Sequence, residues 1–220
     1  MEPTAGGPVG CGSMNQDPRD TVPPVPPVRR VRPVRPEEWR EVRELRLAAL
    51  RDPAAPIAFL ETYEQAAAQP DSFWQERAER AAGGAGSGAG VRQFVAETAD
   101  GTWSGTATAL IEEAGTQDVF GKPVDARQAH IVGVFVRPEH RGAGVIDALF
   151  AAAVDWAGTE GVTRVRLYVH QDNARAERFY RRFGFVRSGW TAPMKDDPSA
   201  SEIEMVLDPA AGGLSDRPHA

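Results

Sequence analysis

The residues of this chain that could do chemistry begin in VFVRPEHRGAGVIDALF, Val134 to Phe150, where an apolar strand pattern gives way to Arg141, Gly142 and Gly144 and then directly to a helical pattern. A helix N-terminus offers unpaired backbone N–H groups and a partial positive charge, and glycines let a ligand approach without a Cβ in the way. The junction therefore suits a phosphate, although glycines that only permit a tight strand-to-helix turn would read the same. Further on, in LYVHQDNARAERFYRRFGF, Asn173 and Tyr180 stand seven residues apart, two helical turns or about 10.5 Å, and share a helix face. A tyrosine there can donate a proton, or simply pack beside Phe179 and Phe183. Proton acceptors are less sharply marked. Along HIVGVFV, alternation places His130 on one face with Val132, Val134 and Val136. Glu112 and Glu113 are its rivals, or else surface carboxylates at a strand end. Glu61 and Glu64 could attract a cation or form the exposed face of a helix.

The elements that must position these groups alternate in type. VRRVRPV, Val28 to Val34, reads as a strand, followed by a helix with Pro36 at its start and an apolar stripe of Trp39, Val42, Leu45 and Leu47. A second helical region spans about Ala55 to Arg80, broken near Gln69-Pro70, with Asp71 suited to cap the second piece. RQFVAETADGTWSGTATALI holds two strands around Asp100-Gly101, a dipeptide that favours a tight turn with positive φ at both central positions. ARQAHIVGVFV is a longer strand. A helix with Val145, Leu149, Ala152 and Trp156 on one face leads to the strand TRVRLYVH, then a helix from Asn173 to Phe183, a turn at Gly184, and strands around FVRSGW and EIEMVL. The order is βααββ, βαβ, αββ. GAGVID matches only the first part of a dinucleotide-binding G-x-G-x-x-G, with Asp147 in place of the third glycine, and the N-terminal half supplies no repeated βαβ units.

The 220 residues give room for one well-packed domain with tails. Residues 1–28, rich in Pro and Gly with PPVPPV at Pro23 to Val28, read as a disordered tail; the Pro23, Pro26 spacing formally fits an SH3-type ligand, and a plain spacer fits as well. Residues 210–220 read as a second loose end, and GGAGSGAG, Gly83 to Gly90, as a flexible connector because no Gly-Lys-Ser/Thr closes it. A formal charge of −6 argues against broad nucleic-acid binding and suits a cationic small molecule. No long apolar run or signal pattern is visible, so the expectation is a cytoplasmic protein with no membrane partner. The single cysteine, Cys11, cannot form an internal disulfide.

Arg-x-x-Gly at Arg141 to Gly144, followed one strand later by Asn173, six residues, Tyr180 and then Phe183-Gly184-Phe185, resembles the GNAT family of acyl-CoA-dependent N-acetyltransferases. The resemblance spans about residues 29–209 and is strongest from His130 to Gly189. It implies an α/β (α+β) GNAT fold, a mixed, mainly antiparallel central sheet with helices on both faces. It further implies transfer of acetyl from the cosubstrate acetyl-CoA to a primary amine, of a small molecule, peptide or protein, by direct attack, with no metal. A non-catalytic acyl-CoA sensor or interaction module on the same fold is the alternative. Residue by residue, the strand at Val134, Phe135 and Val136 would lend its backbone to the pantetheine arm. Arg141, Gly142, Ala143, Gly144, Val145, Ile146 and Asp147 would hold the pyrophosphate, with Ile146 where the family has Gly or Ala. Asn173 would contact the pantetheine arm, Tyr180 would protonate the CoA thiolate, and His130 would act as a water-mediated base. Homodimers are frequent in that family. The acceptor region, Asp52 to Gln93, carries no readable motif.

Overall fold

Strands β1 (Val28–Pro33), β2 (Val91–Thr98), β3 (Trp103–Glu112), β4 (Gln128–Val136), β5 (Val165–His170), β6 (Phe185–Pro193) and β7 (Ser201–Leu207) form one 7-stranded sheet in the order β1-β2-β3-β4-β5-β7-β6. Every neighbouring pair is antiparallel except β4 and β5. This computed structural model describes residues 28–83, 90–194 and 197–208. The Pro-rich N-terminal segment with Cys11, nearly all of the glycine run after Gly83 and the C-terminal end lie outside the described residues.

Among the described residues five α-helices accompany the sheet: α1 (Trp39–Leu50), α2 (Tyr63–Ala67), α3 (Asp71–Ala81), α4 (Val145–Thr159) and α5 (Ala174–Phe183). The first follows a 3-10 turn, Pro36–Glu38, whose Glu38 carboxylate accepts from the Arg35 N–H at 2.8 Å and so satisfies a donor no helical carbonyl can reach. Asp71 is the first residue of α3 rather than its cap: Pro70 holds the cap position, and Asp71 pairs with Arg43 at 3.0 Å. The β2–β3 hairpin also differs from the expected two-residue turn. Thr98 N–H bonds to the Thr102 carbonyl, leaving Ala99, Asp100 and Gly101 as a three-residue loop in which Asp100 accepts from the Thr102 N–H at 3.0 Å.

Alternation along the strands sorts the core onto two faces. Phe94 and Ala96 of β2 join α4 and α5, whereas Val95 between them joins α1 and α3. The buried stripe of α4 is Val145, Leu149, Phe150, Ala153, Val154 and Ala157, with Ala152 and Trp156 only partly covered, so it is turned from the expected stripe. Phe150 is the reason. Its ring meets those of Phe179, Tyr180, Phe183 and Phe185 with centroids 5.0, 5.6, 5.3 and 6.0 Å apart. Such aromatic pairs are worth about 0.5–1.5 kcal/mol each beyond their buried area, so this cluster fixes α5 against α4 and the sheet.

Within β4 the alternation is interrupted beside the residues expected to do chemistry. Ala129 and Ile131 face α4 and α5; after Gly133, at φ 63°, it is Val136 that faces them and Phe135 that faces α1 and α3. The register against β3 shifts at the same point, between Thr106 and Thr108. This is a β-bulge, one extra residue whose left-handed backbone favours glycine. It corrects the expectation that His130 shares a face with Val134 and Val136: the bulge inverts the parity between them.

Candidate active site

A cleft of about 860 Å³ opens where the sheet separates. β4 and β5 pair only at Ala129↔Val165 and His130↔Arg166, and beyond His130 the strands diverge. The backbone groups of β4 on that side therefore lose their ladder partners. Arg137 N–H bonds to the Ser104 carbonyl on the β3 side, so strand alternation turns the N–H groups of Val136 and Val134 toward the gap. Val134, Phe135 and Val136 all line the cleft.

At one end of it lies the loop before α4. Gly142 and Gly144 have φ of 82° and 76°, and a Cβ built on either would meet no atom within 4 Å. Glycine is favoured there by backbone conformation, and the open space leaves the loop amides approachable. Gly142, Gly144, Val145, Ile146 and Asp147 border the cleft, Ala143 joins the glycines, and Ile146 also packs against the core. Arg141 is occupied otherwise. Its guanidinium bonds to the Val136 carbonyl at 3.0 Å and to Asp52, which ties the loop to the segment after α1. Burial raises the Asp52 carboxyl, but the Ala54 N–H and Arg141 more than offset it and hold it ionised, below its usual range. The cations left at this end of the cleft are Arg175 and Arg178 of α5, with Arg182 beside them paired to Asp147 at 3.2 Å. Their spacing of three and four residues, legible in the sequence, puts them on one helix side.

Asn173 caps α5, accepting from the Ala176 N–H at 3.1 Å while its amide donates to the Ile57 carbonyl at 3.3 Å. The polar side chain at the cleft wall thus also closes a helix end. Tyr180, on the buried side of α5, borders the cleft, and its hydroxyl has no hydrogen-bond partner among the described residues. Burial, and then the Glu202 carboxylate, push its ionisation above the ordinary tyrosine range. Glu202 itself lines the cleft without a hydrogen-bond partner among the described residues, and burial raises its carboxyl to about 7.

The opposite sheet face carries a charged network that the sequence alone did not reveal. Arg166 of β5, fully buried, bonds through Nε and Nη2 to the two oxygens of Glu112 at 2.8 and 2.7 Å, and through Nη1 to Asp118 at 2.8 Å and Glu204 at 3.1 Å. Tyr168 donates to Asp118 at 2.6 Å, and Lys122 to Glu204 at 2.7 Å. Burial alone would raise the Glu112 carboxyl; hydrogen bonds from His130 and Arg166 instead draw it down to about 2. Glu112 is thus a permanently ionised acceptor and a poor base.

That fixes His130. Its Nδ1 lies 3.1 Å from Glu112 Oε1, and because an ionised carboxylate only accepts, Nδ1 must carry the proton. The neutral ring then has Nε2 as its acceptor. His170, also bordering the cleft, is held the other way: its Nδ1 accepts from the Asp172 N–H at 3.2 Å. Of these two strand histidines, only His130 is in the tautomer that can take a proton at Nε2. Phe59, Leu60, Val119 and Phe120 give this half of the cleft an apolar wall. The described residues contain no cluster of three His, Cys, Asp or Glu able to hold a metal ion, and none of their helices is long and apolar enough to cross a membrane.

Residues 39–185 match the acetyltransferase (GNAT) family. An uncharacterized N-acetyltransferase of Methanocaldococcus jannaschii is 38% identical over 71 residues, 30% of this chain and 31% of that protein. A mycothiol acetyltransferase of Saccharomonospora viridis is 35% identical over 92 residues, 42% of this chain and 29% of that protein. The chain thus spans less than a third of the length of these curated relatives. Among solved structures, a GCN5-related N-acetyltransferase from Kribbella flavida is 25% identical, covers 80% of this chain and 95% of its own, and superposes with a TM-score of 0.57.

Proposed function

The chain belongs to the acetyltransferase (GNAT) family, whose members use acetyl-CoA as cosubstrate, and from that premise we propose that it transfers acetyl from acetyl-CoA to a primary amine by direct attack. The observation that carries this reading is the split between β4 and β5. It joins an open, glycine-lined loop at a helix N-terminus to a His130–Glu112 pair, with Tyr180 on the wall.

The residues present fit acetyl-CoA. The Gly142 to Asp147 amides, unobstructed at both glycines, hold the pyrophosphate, and the neighbouring arginines of α5 supply the charge that Arg141, engaged with Asp52, does not. Val134, and Val136 through its N–H, pair with the pantetheine arm as an added strand would, and Asn173 flanks it. The cosubstrate contributes an activated acetyl thioester.

An amine with the acidity of lysine is mostly protonated at neutral pH and must first lose a proton to the cleft water. His130, oriented by Glu112 with Nε2 free, accepts the second proton, directly or through water, as the nitrogen attacks. The Val134 N–H donates to the carbonyl oxygen as negative charge develops there. Tyr180, kept protonated by burial and by Glu202, donates to the sulfur as the C–S bond breaks. The C–N bond formed replaces the C–S bond lost; the proton given to His130 balances the one the thiolate gains. No covalent enzyme intermediate is needed.

Tyr180→Phe tests the assignment. Turnover is expected to fall by about 10²-fold or more while the acetyl-CoA Kd stays within about twofold. Unchanged turnover across pH would show that another group protonates the thiolate, and tight acetyl-CoA binding without turnover on any acceptor would point to a sensor.

A further inference from the structure

In the half of the cleft walled by Phe59 and Leu60, Arg77 has no anion among the described residues. Arg77 of α3 borders the main cleft and also a smaller adjoining recess formed by Gln93, Thr106, Thr108 and the Gly133 bulge. Among the described residues its guanidinium makes no hydrogen bond and no ion pair; its ring neighbour is Trp74, with the centroid 5.8 Å away. The charges around it oppose its own on balance. Arg46 repels it, and the attraction of Glu61 offsets this only in part, because that carboxylate is bound by Arg46 Nε and Nη2 at 3.0 and 2.9 Å. Arg80 adds further repulsion, so burial and then Arg46 both work against the charge on Arg77. Every other arginine that reaches into this half of the cleft has a carboxylate.

A half-buried guanidinium without a partner has lost part of its hydration with nothing in return unless a ligand supplies an anion, and its planar fork matches a carboxylate. We propose that Arg77 binds an acidic group of the acceptor, so that the amine acetylated in this cleft belongs to a carboxylate-bearing molecule of the amino-acid or short-peptide class. The apolar wall of Phe59 and Leu60 then receives the part between the amine and the acid. Leu60 is 57% exposed and Val119 61%, a pair of large apolar side chains that line the cleft with little among the described residues to cover them.

This inference rests on the acetyl-transfer reading but is tested separately from it. Matched acceptors that differ only in the acid, such as leucine against leucinamide and alanylleucine against its amide, are compared first by equilibrium binding in the presence of CoA and then by turnover. The acid of the better pair should bind and react at least about tenfold better than its amide. Arg77→Met should reduce that preference to within about threefold, Arg77→Lys should restore part of it, and the acetyl-CoA Kd should not change. Because Arg77 is unpaired, Arg77→Met should also melt no lower than the parent protein, which a purely structural arginine would not allow. Acid-selective binding that depends on Arg77 supports the site even if no acceptor is turned over, an outcome that would sink the transferase reading alone. Equal use of acids and amides, or an Arg77→Met variant that loses acetyl-CoA and keeps its acceptor preference, overturns it.

Discussion

His130 and Glu202 show how much the surroundings decide what a residue can do. His130 was visible in the sequence as a candidate base, but its tautomer follows from Glu112, and Glu112 is fixed by Arg166, three residues on three different strands. No spacing rule links them, because their meeting depends on strand register. If Glu112 acts by orienting His130, Glu112→Gln should lower kcat by about tenfold or more, and adding it to His130→Gln should cost nothing further. Losses that multiply in the double variant would show that the two act independently. Glu202 was invisible for the same reason: EIEMVL reads as an ordinary strand, and only the packing around the cleft isolates the carboxylate. Its carboxyl is raised by burial to about 7, against about 4.3 in an unfolded chain, so ionising it opposes folding progressively from about pH 4 to 7. Glu202→Gln should therefore raise Tm at pH 8 and leave it unchanged at pH 4. An equal gain at both values would mean the carboxylate is not desolvated.

At the scale of elements, the strand-to-helix loop and α5 were legible because each places its key groups within one continuous segment. Asn173, Tyr180, Gly142 and Gly144 keep the relation their spacing implied. β4 was not, since the face of every residue after Gly133 depends on one extra residue in the strand. A glycine inside an apolar strand was the available signal. The bulge lets β4 follow β3 as far as Gly105↔Val136 while it diverges from β5, so it helps to hold the cleft open. Gly133→Val should cost about 1–2 kcal/mol from the left-handed backbone alone, because a Cβ there meets only Thr108 Oγ1, at an ordinary 3.6 Å. Urea denaturation measures this directly. A variant as stable as the parent would show that the chain can absorb the change without the bulge. The stripe of α4 departs from the expected one on a smaller scale: Phe150, rather than Trp156, anchors the aromatic cluster, a choice made by the partner helix and not by periodicity.

Across the whole molecule, the sheet divides its labour by face. One face is apolar and packs α4 and α5, while the far half of the other carries Glu112, Arg166, Tyr168 and Glu204 beneath the loop that supplies Asp118 and Lys122. The split between β4 and β5 connects the two, which is how Tyr180 and His130, from opposite faces, come to border one cleft. The net charge of −6 suits a cationic partner, whereas Arg77, unpaired among the described residues, supports the acidic acceptor proposed above, so that proposal rests on local packing and not on the total charge. The most direct test of this account is release of free CoA from acetyl-CoA, with the acetylated product identified by mass, across a panel of amines that includes matched acids and amides. Acceptor-dependent release, with acetyl on the amine nitrogen, is the predicted result. Acetyl-CoA that binds saturably but releases no CoA above the acceptor-free rate with any amine would contradict it.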